Sequence, residues 1–135
     1  MSKIVIVDDD KDDIYFFLKA CKKLNPEPQV VPLQDGTELL SYVETQPCQN
    51  SIILLDLNMP KMGGLEVLSR LHDAGKINNM VVITYSTSDN PNDINKCYEL
   101  GVKSYITKPD SNRHLTALVD NLRNYWFNIN QSPVS

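Results

Sequence analysis

Five short apolar runs, separated by segments of helical period, restrict how this 135-residue chain folds more than any other feature. The runs are Lys3–Val7, Gln29–Leu33, Ser51–Leu55, Met80–Tyr85 and Lys103–Thr107. Ile4-Val5-Ile6-Val7 and Ile52-Ile53-Leu54-Leu55 contain no polar residue, so neither alternates as a strand with one wet face would. Strands apolar on both sides belong to a parallel sheet covered by helices on both faces. Between the first two runs, Ile14, Phe17, Leu18, Cys21 and Leu24 recur at helical spacing. Asp12 and Asp13 suit the positive end of that helix, and Asn25-Pro26 stops it. Shorter helices are predicted over Thr37–Glu44, Leu65–Asp73 and Asn92–Leu100, the last ended by Gly101. Leu115, Leu118, Val119, Leu122 and Trp126 make the stripe of a final helix. Five βα units with short connections predict right-handed crossovers and a doubly wound α/β fold. One domain is expected over residues 1–128, followed by a short polar tail over 129–135 with no room for an effector domain.

Seventeen acids against 13 Lys and Arg give a net charge of −4, which disfavours broad attraction to nucleic acid or an anionic membrane. No apolar run is long enough to span a bilayer, and the first is followed by acids instead of a small-residue cleavage site. Cys21, Cys48 and Cys97 are scattered and odd in number. That pattern fits reduced thiols in the cytoplasm better than a disulfide framework or a zinc site.

In a sheet of this kind, ligands sit at the carboxyl ends of the strands. The first strand ends in Asp8-Asp9-Asp10, and the third in Asp56, followed by Leu57-Asn58-Met59-Pro60. The fourth ends near Ser86-Thr87, and the fifth runs into Lys108-Pro109. Several carboxylates, a hydroxyl and an ammonium group are thereby expected to share one edge. Crowded carboxylates repel, and the usual relief is a bound cation or a raised pKa. Mg²⁺ accepts an all-oxygen site with few protein ligands and room for water and a phosphoryl oxygen. Asp56 then suits a nucleophile that forms an acyl phosphate. The metal and Lys108 would neutralise the transferred group, and Ser86 would hydrogen-bond one of its oxygens. Singly, each residue has an ordinary reading. Asp10 is a helix cap, Asp12 and Asp13 are solvated first-turn acids, Lys108 is a surface lysine, and His72 and His114 are surface histidines. Only their joint occurrence on successive strand ends carries the argument.

In those residues the chain resembles the receiver domains of two-component response regulators, from about Lys3 to Phe127. The matching motifs are Ile4-Val5-Ile6-Val7-Asp8-Asp9, Leu54-Leu55-Asp56-Leu57-Asn58-Met59-Pro60, Ser86-Thr87 and Tyr105-Ile106-Thr107-Lys108-Pro109. The resemblance implies a flavodoxin-like (βα)5 sheet of order 2-1-3-4-5. It implies that Asp56 is the phosphoacceptor and that Mg²⁺ or Mn²⁺ is held by Asp9, Asp56 and the carbonyl of Asn58, with Asp8 in support. Lys108 matches the phosphate-binding lysine, with a Lys108–Pro109 bond that is commonly cis in the family. Ser86 and Tyr105 match a hydroxyl–aromatic switch pair. A sensor histidine kinase or histidine phosphotransfer protein is the implied donor, and a downstream protein or a homodimer carries the output. The residue after Ser86 is often small in the family, so Thr87 is expected to narrow access to the phosphate. The loop Ser86–Ile94 is similar to that of single-domain regulators that work with bacterial phytochromes.

Other Asp- or phosphate-based folds fit these residues less well. A phosphatase of the haloacid-dehalogenase type resembles a pattern with a second acid two residues after its nucleophile, where this chain has Asn58. A flavodoxin-like flavin carrier needs a Gly/Ser/Thr-rich phosphate loop after the first strand, where Asp8, Asp9 and Asp10 stand. A receiver that had degenerated into a binding module would lack a site residue, and none is missing. A histidine phosphotransfer protein is excluded by fold class and by the lack of a suitable His context.

Overall fold

A computed structural model describes residues 2–131. Its strands are β1 (Lys3–Val7), β2 (Gln29–Leu33), β3 (Ser51–Leu55), β4 (Val81–Ser86) and β5 (Ser104–Thr107). They form one parallel sheet in the order β2-β1-β3-β4-β5, the topology expected from the sequence. The helices are α1 (Lys11–Lys22), α2 (Gly36–Thr45), α3 (Gly64–Asp73), α4 (Pro91–Glu99) and α5 (Asn112–Arg123).

Because helices cover both faces, β1 and β3 are buried on each side, which is why their sequences lack a two-residue polar alternation. On one face, Phe17 and Cys21 of α1 and Leu115 and Val119 of α5 pack against Ile4, Ile6, Ile52 and Leu54. On the other, Leu39, Val67, Leu68 and Cys97 from α2, α3 and α4 pack against Val5, Val7, Ile53, Leu55 and Val82. β2 is an edge strand and tolerates Pro32, whose missing N–H would break an inner ladder. Among the described residues, no helix is long and apolar enough to cross a membrane.

Local chemistry sets the helix starts. Asp10, Asp35, Asn90 and Ser111 each accept a backbone N–H from the first turn that follows, and Pro91 occupies the first position of α4 after the Asn90 cap. Several boundaries differ from the sequence reading: α2, α3 and α4 each start one residue earlier, at Gly36, Gly64 and Pro91, while α2 ends one later at Thr45 and α4 one earlier at Glu99. Met80 closes a 3₁₀ turn over Ile77–Asn79, so β4 begins one residue later and extends to Ser86. β5 begins at Ser104, because Lys103 donates only one bond, to the Val82 carbonyl at 2.8 Å, and is exposed. The final helix does not run through Trp126 as an α-helix but changes at Asn124 into a π-helical turn over Asn124–Ile129. Trp126 and Phe127 there pack partly on the α1–α5 core, while Tyr125 and Ile129 stay exposed. Of the expected polar tail, residues 132–135 lie outside the described residues.

Gly64 fixes how closely α3 approaches the end of β3. A Cβ at this position would lie 2.5 Å from the Asp56 carbonyl oxygen and 2.8 Å from Leu57 Cα, both backbone atoms that cannot step aside. Gly64→Ala is therefore expected to cost about 1–3 kcal/mol in urea denaturation through overpacking. An unchanged midpoint would show that the loop after β3 yields freely.

Candidate functional site

The parallel ladder continues one residue past three strands and so fixes the backbone of the site. Asp8 N–H donates to the Leu33 carbonyl at 3.0 Å, Asp56 N–H to Val7 at 3.0 Å, and Lys108 N–H to Ser86 at 2.8 Å. The register sets β1 and β3 level, with Val7 opposite Leu55, so Asp8 and Asp56 leave the sheet side by side. Asp8, Asp56 and Ser86 are buried, whereas Asp9 is exposed at the rim. Carboxylate oxygens of Asp8, Asp9 and Asp56 all lie within 4.8 Å of one another. Three convergent carboxylates of this kind are the oxygen donor set that a hard divalent cation of the Mg²⁺ or Mn²⁺ type accepts. Asn58 is exposed, and its N–H donates to Asp56 Oδ1 at 3.4 Å.

Lys108 reaches into this cluster. Its Nζ donates to Asp8 Oδ2 at 2.8 Å and to Asp13 Oδ2 at 2.7 Å, and stands 3.8 Å from Asp56 Oδ1. It also sits 5.6 Å from the centre of the Tyr85 ring, within cation–π range. The lysine is thus no solvated surface group, its side chain being 10% exposed. The Lys108–Pro109 bond, expected as cis, is trans. Among the described residues the cis bond is Asn25–Pro26. Trans is the lower-energy isomer of an X–Pro bond, and in it the Lys108 N–H still completes the ladder to Ser86.

The acid assigned to solvent at Asp13 is the main correction. Its carboxylate is one of the two hydrogen-bond partners of the Lys108 ammonium, 95 residues apart in sequence. Helical geometry explains it. The cap at Asp10 turns the chain so that the first turn of α1 lies beside the end of β1, and Asp13 faces inward while Asp12 stays exposed. Tyr85 and Ser88 were also missed. Tyr85 has the β-sheet period of a core residue, and its ring serves as one, 6.2 Å edge-on from Phe17. No local pattern marks it as a neighbour of Lys108.

Burial dominates the electrostatics. It raises the Asp56 carboxyl to about 6, against the lowering effect of Lys108, with Asp8 and Asp9 adding repulsion. It raises Asp8 as well, although Lys108 and the Asp10 N–H pull the other way. For Lys108, burial pulls the ammonium down, but the hydrogen bonds from Asp13 and Asp8 outweigh it and the net shift is upward. One cation is set among more carboxylates than it can neutralise.

At the ends of β4 and β5, Ser86 Oγ accepts the Ser88 N–H at 3.2 Å, and the Tyr105 hydroxyl donates to the Ser88 carbonyl at 2.8 Å. Ser88 Oγ donates in turn to Asp93 of α4 at 2.9 Å. Thr87 is exposed beside them. Asp10 caps α1 as expected. His72 and His114 are exposed and pair only with neighbouring acids at 3.5 Å. The three cysteines are free, with Cys21 and Cys97 buried.

This geometry has known counterparts. The chain matches the family described as the response regulator receiver domain over residues 4–120. The response regulator Rcp1 of Synechocystis sp. (strain PCC 6803) is 30% identical over 128 residues, which are 91% of this chain and 87% of Rcp1. The crystal structure of the phosphorylated cyanobacterial phytochrome response regulator RcpA superposes with a TM-score of 0.85 at 32% identity, covering 98% of this chain and 99% of that one. The Mn²⁺-bound form of Rcp1 gives a TM-score of 0.82 at 29% identity, with coverage of 99% and 100%. With the sheet order, the strand-end carboxylates and the family match over most of its length, the chain belongs to the response regulator receiver domains.

Proposed function

We propose that this receiver accepts a phosphoryl group on Asp56 from the phosphohistidine of a sensor histidine kinase or histidine phosphotransfer protein. The reaction depends on Mg²⁺ or Mn²⁺, and the signal passes by a conformational switch to a partner protein or a second copy of the chain. The observation that carries this reading is the Asp56 carboxylate, buried at the end of β3 with two further carboxylates and an ammonium group around it. The Mn²⁺-bound Rcp1 structure and the phosphorylated RcpA structure support the metal and the modification. RcpA's description as a phytochrome response regulator supports a phytochrome-type kinase as the donor.

In the proposed transfer, an Asp56 carboxylate oxygen attacks phosphorus as the phosphorus–nitrogen bond breaks, and the electron pair of that bond stays on the imidazole nitrogen. Asp9, Asp56 and the Asn58 carbonyl would hold the metal, with Asp8 in support, and the ion would supply positive charge to the phosphoryl oxygens. Lys108 donates from the β5 side to one phosphoryl oxygen, and the Ser86 hydroxyl donates its O–H to another. The hydroxyl of Tyr105 is already tied to the Ser88 carbonyl, so a movement of residues 86–88 changes what holds the ring. That coupling supports the switch role of Ser86 and Tyr105 toward the face made by α4, β5 and α5. Turnover is limited to the domain's own phosphorylation and hydrolysis.

Acetyl phosphate with Mg²⁺ is expected to add one phosphoryl group to the wild type, read as a single mass increment, and none to Asp56→Asn. A label that survives this substitution would remove Asp56 from the role.

Burial of Asp56 also gives a pH signature. Because the folded pKa of about 6 exceeds the ordinary 3.8, the charged carboxylate costs stability that is fully lost above pH 6 and regained as pH falls below about 4. In EDTA, Asp56→Asn is therefore expected to exceed the wild type by about 2–3 kcal/mol at pH 8, with the gap closing toward pH 4. Millimolar Mg²⁺ should raise the wild-type melting temperature, and much less that of Asp9→Ala. Equal stabilisation of the two proteins by Mg²⁺ would take Asp9 out of the metal site.

A further inference from the structure

The Lys108 ammonium has three N–H donors, and two of them are committed, to Asp8 at 2.8 Å and Asp13 at 2.7 Å. At 3.8 Å, the Asp56 oxygen is outside hydrogen-bond distance. The group expected to meet the incoming phosphoryl oxygens is thus held toward the first turn of α1. A phosphoryl group on Asp56 brings further negative charge to this ammonium and competes for its donors. The two present partners differ in what release costs them. Asp8 is fully buried, and parting it from Lys108 would strand an unpaired charge away from water. Asp13 is 37% exposed on its side chain and can exchange the ammonium for water. Of the two bonds, the one to Asp13 is the one that can yield.

We propose that Asp13 is a positioning residue that acts through Lys108, holding the ammonium away from Asp56 in the unphosphorylated state and releasing it to the phosphoryl oxygens. The pair joins α1 to the end of β5. Its release uncouples the first turn of α1 at the moment of phosphorylation, a second consequence of the event besides any change at Ser86 and Tyr105. In addition, the Asp13 charge adds to the negative potential that a phosphoryl donor meets, so the pair slows loading as well as reporting it. The proposal rests on Asp56 as phosphoacceptor, but the existence of the pair does not.

The test uses the full chain with Asp13→Asn, Asp13→Glu, Lys108→Met and the double variant Asp13→Asn/Lys108→Met. In EDTA, urea denaturation of the four-protein cycle (wild type, Asp13→Asn, Lys108→Met and the double variant) is expected to show a favourable coupling between the two sites. With Mg²⁺, beryllofluoride titration followed by amide NMR is expected to show Asp13→Asn binding about fivefold more tightly than wild type. Asp13→Glu, which restores the charge, should bring affinity back toward wild type, and shifts in residues 11–15 on binding should shrink in Asp13→Asn. Absence of coupling in EDTA overturns the pair itself. Equal or weaker beryllofluoride binding by Asp13→Asn overturns the restraint, the weaker result meaning that Asp13 pre-positions Lys108 for the phosphoryl group. Failure of the wild type to bind beryllofluoride at all overturns the phosphoacceptor reading of Asp56, and this proposal with it, while the EDTA cycle still reports on the pair.

Discussion

One ammonium group, the Nζ of Lys108, lies between Asp8 and Asp13 with Asp56 just beyond hydrogen-bond distance, and the arrangement at the strand ends depends on it. Asp8 and Asp56 are almost wholly removed from water, and carboxylates so placed are tolerated as anions only with compensating charge. Lys108 supplies one unit of that charge from the opposite side of the sheet's edge. The remaining deficit appears as raised carboxyl affinity for protons in Asp8 and Asp56. A proton or a divalent cation relieves such a deficit, and the two would compete for the same carboxylate oxygens.

The rest of the fold serves to hold this imbalance in place. Asp8, Asp56 and Lys108 each have their backbone N–H bonded to the last carbonyl of a neighbouring strand, so these side chains begin from fixed points. Apolar packing on both faces of β1 and β3 makes those strands rigid, and the close contact of Gly64 with the Asp56 carbonyl holds the following loop down. A pre-arranged set of charges needs little reorganisation to act on a ligand, which is where electrostatic stabilisation is most effective.

Two groups of contacts lead outward from the centre. Ser86, Ser88, Tyr105 and Asp93 form a hydrogen-bonded series from the end of β4 to β5 and α4. Lys108 and Asp13 connect β5 to α1 on the other side. The first begins at the end of β4, and the second at Lys108, whose Nζ stands 3.8 Å from Asp56. The carboxylate cluster therefore lies at the junction of elements on both faces of the sheet.

Much of this was legible in the linear chain. The continuous apolar runs pointed to strands buried on both faces of a parallel sheet, the resemblance to receiver domains supplied the strand order, and the strand ends put Asp8, Asp9, Asp56, Ser86 and Lys108 along one edge. These residues follow directly from strand ends, so their positions are local consequences of the pattern. What the sequence could not determine were contacts that depend on the angle at which helices dock and chains turn. Asp13 reads as one more acid in a helix's first turn until the packing of α1 sets it 2.7 Å from a lysine 95 residues away. Tyr85 looks like core until β5 brings the Lys108 ammonium against its ring. The π-helical turn after α5 was likewise settled by surroundings, where Trp126 and Phe127 pack on the α1–α5 core. Hydrophobic period and strand ends belong to the sequence. Which charge pairs with which belongs to the folded geometry, since Coulomb and hydrogen-bond energies depend on distances of a few ångströms that no spacing along the chain encodes.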